Sequence, residues 1–344
     1  MKIVSLFSGT GGLDRGFENE GFKVVWANEY DKSIWSTFES NFPHTVLDRR
    51  SIVDINPDDA PECDGIIGGP PCQSWSEAGA ARGINDPRGQ LFNDYIKFIK
   101  AKKPKFFLAE NVQGLLFSKH SDALDNIFKA FLKIGYNVSY HLLNSNDYGV
   151  PQDRKRVIIV GYPVSYGEHF IPPEPDEYKP TLKDAIWDLR KNAKSALRKN
   201  KANPKLKIPN HEYMIGGFST MYMSRNRVRS WNEPSFTIQA GGRHAPCHPQ
   251  APKMVKVRKD KMKFKHGSTK LYRRLSVREC ARIQTFPDSH IFNYESVPDG
   301  YKMIGNAVAV DFAAKIAAKI REDLKRLGNM PIDFKKKGTL YKPK

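Results

Sequence analysis

Short apolar runs alternate with amphipathic segments through the first half of the chain. Runs such as Lys2–Phe7 and Lys23–Asn28 are typical of buried strands, and segments such as Leu13–Asn19 and Gln90–Ala101 have helical spacing. This alternation predicts an α/β fold: a doubly wound, mostly parallel sheet with helices on both faces. The other predicted elements are the helices Lys32–Ser40 and Ala123–Leu132 and the strands Asp64–Ile67, Lys105–Ala109, Tyr136–Leu143 and Val157–Val160.

The pattern changes in the second half, where Pro, Lys and Asn become frequent and the alternation fades. We therefore predict a second, smaller and irregular domain over 176–299, and a first domain formed by 1–175 together with 300–330. Asp311–Leu327 is strongly amphipathic and should pack back on the first domain. Residues 331–344 are predicted to be a mobile basic tail.

Charge and composition narrow the functional class. The 344 residues include 56 Lys and Arg against 37 Asp and Glu, a net charge of +19, which favours a polyanionic partner such as nucleic acid. No apolar stretch approaches the ~20 residues of a membrane span, and the N-terminal apolar run is too short for a signal peptide. The four cysteines match neither a disulfide framework nor a zinc pattern. We expect a cytoplasmic bacterial protein with reduced thiols and no metal.

The first two predicted strands end in residues suited to a nucleoside-like ligand. A glycine-rich turn, Ser8–Gly12, follows the first strand and can bring backbone N–H groups to a ligand. It fails as a dinucleotide fingerprint, because Asp14 stands where the third glycine belongs. The second strand ends in Asn28–Asp31, and Glu29 there could accept hydrogen bonds from both ribose hydroxyls. The combination fits an adenosyl ligand without a pyrophosphate, such as S-adenosylmethionine.

A cysteine follows another strand in an unusual turn. Gly68–Ser74 reads Gly-Gly-Pro-Pro-Cys-Gln-Ser, and this turn is a poor place to bury a side chain. A lone cysteine is more often a packed structural residue. Here, however, Ala109–Val112 ends a further strand and supplies the carboxyl group of Glu110. We predict that Cys72 and Glu110 face one cleft.

Six short motifs follow one another along the chain. They are Phe7-Ser8-Gly9-x-Gly11-Gly12, Gly69-x-Pro71-Cys72-Gln73, Glu110-Asn111-Val112, Gln152-x-Arg154-x-Arg156, Arg274-Leu275-x-x-Arg278-Glu279 and Gly305-Asn306-Ala307-Val308. In this order the chain resembles the C5-cytosine DNA methyltransferase family, from the first residue to about 325. Within that family it is most similar to the bacterial HaeIII-type modification enzymes, whose target is GGCC.

The resemblance implies a covalent mechanism on a base flipped out of double-stranded DNA. The thiolate of Cys72 would add to C6 of the cytosine, and C5 would then take the methyl group of S-adenosylmethionine, leaving S-adenosylhomocysteine. Glu110 would contact N3, Arg156 would hold O2 and Arg154 would support the site. The glycine-containing segment Trp75–Gly89 would be a mobile loop that closes over the flipped base.

The resemblance also implies the cofactor contacts. Phe7 would pack on the adenine, Glu29 would bind the ribose and Tyr30 would flank the other face of the adenine. Ser51 stands where the family usually has the Asp that accepts from the adenine amino group, so we expect weaker adenine recognition or a shift to Asp48 or a backbone group. The remaining expected contacts are Gly9, Gly11, Gly12, Ile52, Pro71, Leu91 and Asn306. A second departure from the family is Ala309 in place of Pro.

An arginine-rich segment is the candidate for reading the DNA sequence. Met223–Arg229 carries arginines at alternating positions, which share one face if the segment is extended. Arg225, Arg227 and Arg243 could each grip a guanine in the major groove, and phosphate contact is the alternative interpretation. Further along, Ser276–Glu279 has the spacing of a capping box that opens a helix through Ile283.

Three functional hypotheses remain at this point. The leading one is a monomeric enzyme that methylates the inner cytosine of GGCC and protects host DNA from a cognate restriction endonuclease. The second is an RNA cytosine-5 methyltransferase acting on tRNA with the same fold. The third is a catalytically inactive DNA-binding relative.

Overall fold

Strands rich in Val, Ile and Phe form the central sheet of the computed structural model, which describes residues 1–71, 87–327 and 330–343, apart from the side chains of 87–90 and 119. In chain order the strands are β1 (Lys2–Leu6), β2 (Lys23–Asn28), β3 (Val46–Asp48), β4 (Gly65–Gly68), β5 (Phe106–Val112), β6 (Tyr136–Asn144), β7 (Lys155–Pro163), β8 (Lys194–Ser195), β9 (Glu212–Tyr213), β10 (Val255–Arg258), β11 (Lys261–Lys263) and β12 (Leu340–Tyr341).

Eight of these strands make one mixed sheet, in the order β12-β6-β7-β5-β4-β1-β2-β3. Neighbours pair in parallel except at β7, which runs antiparallel to both β5 and β6. The predicted α/β class with a mostly parallel sheet is therefore confirmed. Because β1, β2, β4 and β5 are parallel, their carboxyl ends meet at one edge, where ligands bind in such sheets.

Helices cover both faces of the sheet. They are α1 (Gly12–Asn19), α2 (Trp35–Asn41), α3 (Pro87–Lys102), α4 (Ser121–Lys133), α5 (Leu182–Ile186), α6 (Val277–Ile283), α7 (Val297–Asn306) and α8 (Val310–Leu327). Alternation along β1 explains the two cores, because Ile3 packs with α1 and α8 while Val4 packs with α3 and α4. A Cβ on Gly16 would lie 2.4 Å from that of Ala313, so α8 packs closely on α1, as predicted.

Several element ends differ from the predictions. β5 continues to Val112, because its antiparallel pairing with β7 extends to Val112 opposite Arg156. The helix expected from Gln90 begins at Pro87, a residue favoured in the first helical turn. β3 and α7 were not predicted from the hydrophobic pattern: β3 has three residues, and α7 is interrupted by polar and glycine residues.

Part of the predicted basic tail joins the central sheet. Leu340–Tyr341 pairs with β6 as the edge strand of the sheet, and the ring of Phe334 packs 5.3 Å from that of Tyr136. The sequence does not predict this strand, because two residues are too few to show an alternating pattern. Its position is determined by the backbone groups at the open edge of β6, with which it pairs.

The second half consists of short elements on small apolar clusters. One cluster is built on Tyr222, Met254 and Tyr272, and a larger one joins α5 and α6 to α7. Helix α7 crosses position 300, where the predicted second domain would give way to the first. The boundaries of a separate domain over 176–299 stay a prediction. None of the described helices combines the length and apolarity needed to cross a bilayer.

Candidate active site

A cavity of about 510 Å³ opens at the carboxyl ends of β1, β2, β4 and β5. It brings together most of the side chains that the sequence assigned to cofactor and catalysis. Its lining residues are Phe7, Gly9, Asn28, Glu29, Tyr30, Asp31, Ile34, Ser51, Ile52, Gly69, Pro70, Pro71, Leu91, Glu110, Asn111, Val112 and Asn306.

The turn after β1 departs from ordinary strand geometry at the cavity floor. Phe7 has a φ of +55°, a left-handed conformation that is unusual for an aromatic residue, and Gly9 has a φ of +56°. The Gly9 N–H donates to Glu29 Oε2 at 2.9 Å, which ties the ends of β1 and β2 together. Strained backbone of this kind is held by its surroundings and is concentrated at functional sites.

Glu29 is anchored but retains acceptor capacity. Besides Gly9, the Asp31 N–H donates to its Oε1 at 2.7 Å. Burial raises the pKa of Glu29, and the two backbone donors act in the opposite direction. An ionised carboxylate offers about four lone-pair sites, so two remain for further donors such as a pair of hydroxyl groups.

Tyr30 and Asp31 form the outer wall of the cavity. The Tyr30 side chain lies at the rim and is 71% exposed. Lys302 on α7 donates to Asp31 Oδ2 at 2.6 Å and so connects this wall to the helix that ends in Asn306.

Two of the predicted cofactor glycines are not in the cavity lining. Gly11 has a φ of +81° at the start of α1, and a Cβ there would lie 2.1 Å from the ring of Phe42. A Cβ on Gly12 would lie 2.2 Å from the Val308 carbonyl oxygen. Both glycines permit close packing of the turn, and Gly12 also lines a smaller adjoining cavity together with Phe7 and Gly9; contact of either glycine with the cofactor stays a prediction.

Asp48, one of the two expected substitutes for the missing adenine acid, is paired with a neighbouring arginine. Asp48 accepts from Arg50 Nη2 at 2.6 Å, which lowers its pKa, and it is absent from the cavity lining. Ser51 does line the cavity, as predicted. Asn28 fixes this segment, because its Nδ2 donates to the carbonyl oxygens of Asp48 and Arg50. Ser51 and nearby backbone groups are thus the polar groups on this side.

Glu110 meets Arg156 at the opposite end of the cavity. Arg156 Nε lies 2.8 Å from Glu110 Oε1, and the side chains are only 12% and 11% exposed. The pairing of β5 with β7 places the two residues on adjacent strands. Asn111 Nδ2 donates to the Pro70 carbonyl oxygen at 3.2 Å, so the end of β5 is tied to the turn that precedes Cys72 in the sequence.

Arg154 is buried next to the site and bonds to backbone groups of other elements. It is 2% exposed, and its guanidinium donates to the carbonyl oxygens of Ile238, Gly305 and Ala307 at 2.9–3.0 Å. These bonds join the start of β7 to the end of α7, where Asn306 lines the cavity. The supporting role of Arg154 in catalysis stays a prediction.

The predicted nucleophile lies outside the described residues. The structure does not describe Cys72, nor the predicted closing loop as far as residue 86; Pro87–Gly89 belong to α3. Pro71, the preceding residue, lines the cavity.

The arginines proposed to read the DNA differ in exposure. Arg225 and Arg243 are exposed, but Arg227 is 8% exposed and donates to the carbonyl oxygens of Tyr222 and Met221. A short 3₁₀ turn, Tyr222–Ser224, precedes Arg225, whose own backbone is extended. The three arginines are nevertheless close together: burial, followed by the positive charges of Arg227, Arg225 and Arg243, lowers the pKa of His244.

Sequence reasoning missed several residues of the site. Asp31 belongs to the outer wall and pairs with Lys302, and Asn28 and Asn111 hold the strand ends in place. Asn28, Asp31 and Asn111 stood inside segments that the sequence singled out but had no assigned role. Lys302 carried no signal, because its partner lies 271 positions away. The predicted capping box of α6 is confirmed, with Ser276 and Glu279 each bonding the other's backbone.

Comparisons with known proteins agree with this geometry. The family model of the C-5 cytosine-specific DNA methylases matches residues 1–322. The type II methyltransferase M.FnuDI of Fusobacterium nucleatum is 54% identical over 328 residues, which cover 94% of this chain and 95% of the relative. M.MthTI of Methanothermobacter thermautotrophicus is 55% identical over 331 residues, covering 96% and 99% respectively.

Solved structures support the fold. An Escherichia coli prophage DNA modification methyltransferase superposes with a TM-score of 0.72 at 23% identity, covering 94% of this chain and 99% of that one. The Entamoeba histolytica methyltransferase EhMeth gives 0.69 at 17% identity, covering 94% and 98%. The chain belongs to the C-5 cytosine-specific DNA methylase family and is a DNA (cytosine-5)-methyltransferase.

Proposed function

We propose that the enzyme transfers a methyl group from S-adenosylmethionine to C5 of a cytosine flipped out of double-stranded DNA, through a Cys72 adduct at C6. The observation that carries this proposal is the shared cavity, in which Glu29 at one end and Glu110 at the other line the same space. The Glu29 end suits a nucleoside, and the Glu110 end offers the polar groups that a cytosine ring needs.

The residues at the Glu29 end fit the cofactor. The free acceptor sites of Glu29 suit the ribose hydroxyls, and Phe7, Ile52 and Leu91 provide apolar contacts for the adenine. Ser51 takes the position of the usual adenine acid, so adenine binding rests more on stacking and on backbone groups. When bound, S-adenosylmethionine supplies the electrophilic methyl group of a sulfonium.

Glu110 and Arg156 have the chemistry to activate cytosine. Glu110, when protonated, can donate to N3, and the Arg156 guanidinium can donate to O2; both contacts draw electrons from the ring. The Cys72 thiolate then adds to C6, and the displaced electron pair makes C5 nucleophilic. After methylation a base removes the C5 proton, and the returning pair expels the thiolate.

The target proposed is the inner cytosine of GGCC. Arg225 and Arg243 are exposed and can present guanidinium groups to guanine O6 and N7. Arg227 is 8% exposed and already donates to two carbonyl oxygens, so its role as a DNA contact requires that the remaining N–H groups become accessible on binding. We further propose that the enzyme acts as a monomer and, like its type II relatives, belongs to a restriction-modification system with a cognate endonuclease.

Bisulfite sequencing tests reaction and target together. Plasmid DNA is incubated with the protein and S-adenosylmethionine, with Cys72→Ser as the matched control. Protection confined to the inner cytosine of GGCC in the wild-type reaction is the expected result. Protection at another motif would refute the assignment of GGCC. No protection by folded protein, with methyl transfer to tRNA in a parallel reaction, would refute the DNA substrate.

A further inference from the structure

The β10–β11 hairpin forms a concentrated positive surface on the second half of the chain. Residues 253–265 contain seven Lys and Arg and a single acidic residue, Asp260. The two strands pair antiparallel, with Arg258 directly opposite Lys261. Like charges directly opposite each other destabilise a hairpin, so this composition weakens the isolated fold.

Alternation along β11 and the residues after it places Met262 and Phe264 on the opposite side from Lys261, Lys263 and Lys265; on β10, Val255 pairs with Lys263 and is exposed beside it. Met262 and Phe264 point towards the small cluster of Tyr222 and Tyr272, with the ring of Phe264 stacked 4.2 Å from that of Tyr272. The Lys265 N–H donates to the Tyr272 hydroxyl at 3.1 Å. The lysines that alternate with these apolar residues therefore face away from the core. We name the exposed residues Arg258, Lys261, Lys263 and Lys265 the basic hairpin face.

The basic hairpin face has no neutralising partner within the described part of the chain. None of its four cations forms a salt bridge there, whereas the neighbouring Lys253 pairs with Glu233 at 3.4 Å. Lysines two positions apart on a strand are about 7 Å from each other, so their charges form a row. An external polyanion would remove the repulsion that this row creates.

The hairpin rests on the same small core as the recognition arginines. Phe264 packs 5.0 Å from Phe218, and the Arg274 guanidinium lies 4.2 Å from the Phe218 ring centre. Arg227 lies over Tyr222 in this cluster at 4.7 Å. The basic hairpin face is therefore fixed close to the arginines proposed to read the target site.

We propose that the basic hairpin face binds phosphates of the DNA duplex flanking the target site, without reading its sequence. Phosphate contacts of this kind set the position of a protein on DNA and make affinity depend on salt. The proposal depends on the DNA substrate but not on the assignment of GGCC.

The test removes three of these charges and measures the salt dependence of DNA binding. The variant is K261Q/K263Q/K265Q, which leaves Met262 and Phe264 in place. The matched control is K100Q/K129Q/K325Q, which removes three exposed lysines from α3, α4 and α8. Binding to a labelled duplex is followed by fluorescence anisotropy between 50 and 200 mM salt. Each lost phosphate contact reduces the slope of log K against log salt by about 0.9.

For the hairpin variant we expect the slope of log K against log salt to be smaller by about 2.7 than that of the wild type. Between 50 and 200 mM salt, the affinity of the variant should therefore fall by a factor roughly 40 times smaller than the affinity of the wild type does. The control should keep the wild-type slope, and K261R/K263R/K265R should restore it. A hairpin variant with the wild-type slope, or one no different from the control, would overturn the proposal. A wrong target assignment would instead change which cytosines are methylated and leave these slopes intact.

Discussion

Replacing Arg154 with Met tests whether a buried guanidinium holds the site together. Methionine keeps much of the apolar volume but cannot donate a hydrogen bond. The change leaves the carbonyl oxygens of Ile238, Gly305 and Ala307 without the donor they have now, at 2.9–3.0 Å.

The magnitude follows from these three bonds. A hydrogen bond to a charged group contributes about 1.5–3 kcal/mol, so the gross loss is on the order of 5–9 kcal/mol. Removing the buried charge recovers several kcal/mol of desolvation cost. The net loss should be about 3 kcal/mol, a fall of roughly 150-fold in the folding equilibrium constant.

The assay is urea denaturation followed by circular dichroism. Arg321→Met serves as the control, because Arg321 is 40% exposed and pairs with Glu20 at the surface, where such pairs contribute at most about 1 kcal/mol. Since the lost bonds hold the end of α7, the Arg154 variant should also bind S-adenosylmethionine more weakly. A loss of stability no larger than that of the control would refute the reasoning.

Two further predictions concern carboxyl groups near the cavity. Glu29→Gln should weaken S-adenosylmethionine binding about 10- to 100-fold in calorimetry, because hydrogen bonds to a charged acceptor contribute about 1.5–3 kcal/mol; an unchanged dissociation constant would contradict the ribose assignment. Burial raises the pKa of Asp14 from its ordinary 3.8 to about 7, so the unfolded chain loses this proton at lower pH than the folded chain does. The wild type should therefore lose stability as pH rises from about 4 to 7, by about 4 kcal/mol from this group, and Asp14→Asn should remove that part of the slope. Equal slopes for wild type and variant would show that Asp14 is not protonated in the folded protein.

The sequence allowed the sheet and the meeting of the main site residues to be predicted. Parallel strands bring their carboxyl ends to one edge, and Phe7, Glu29 and Glu110, which follow or end such strands, line one cavity there. Local features such as the capping box at Ser276 could also be predicted, because both partners lie within one helical turn.

What could not be predicted depends on contacts between distant residues. The carbonyl partners of Arg154 lie 84 to 153 positions away, and no periodicity identifies them. Arg227 is the same residue type as Arg225 and lies two positions away, yet it is buried against the carbonyl oxygens of Tyr222 and Met221 while Arg225 is exposed. The pairing of Asp48 with Arg50 could not be distinguished from a free acid by charge spacing alone.

The most direct test of the central claim is trapping of the enzyme on DNA that carries 5-fluorocytosine at the inner cytosine of GGCC, with S-adenosylmethionine present. Fluorine blocks the final elimination, so the account predicts a denaturation-resistant complex whose cross-linked peptide, identified by mass spectrometry, contains Cys72. The Cys72→Ser control should bind the same duplex without forming that complex. Protein that methylates cytosine but forms no covalent complex, or one cross-linked through another residue, would contradict the account.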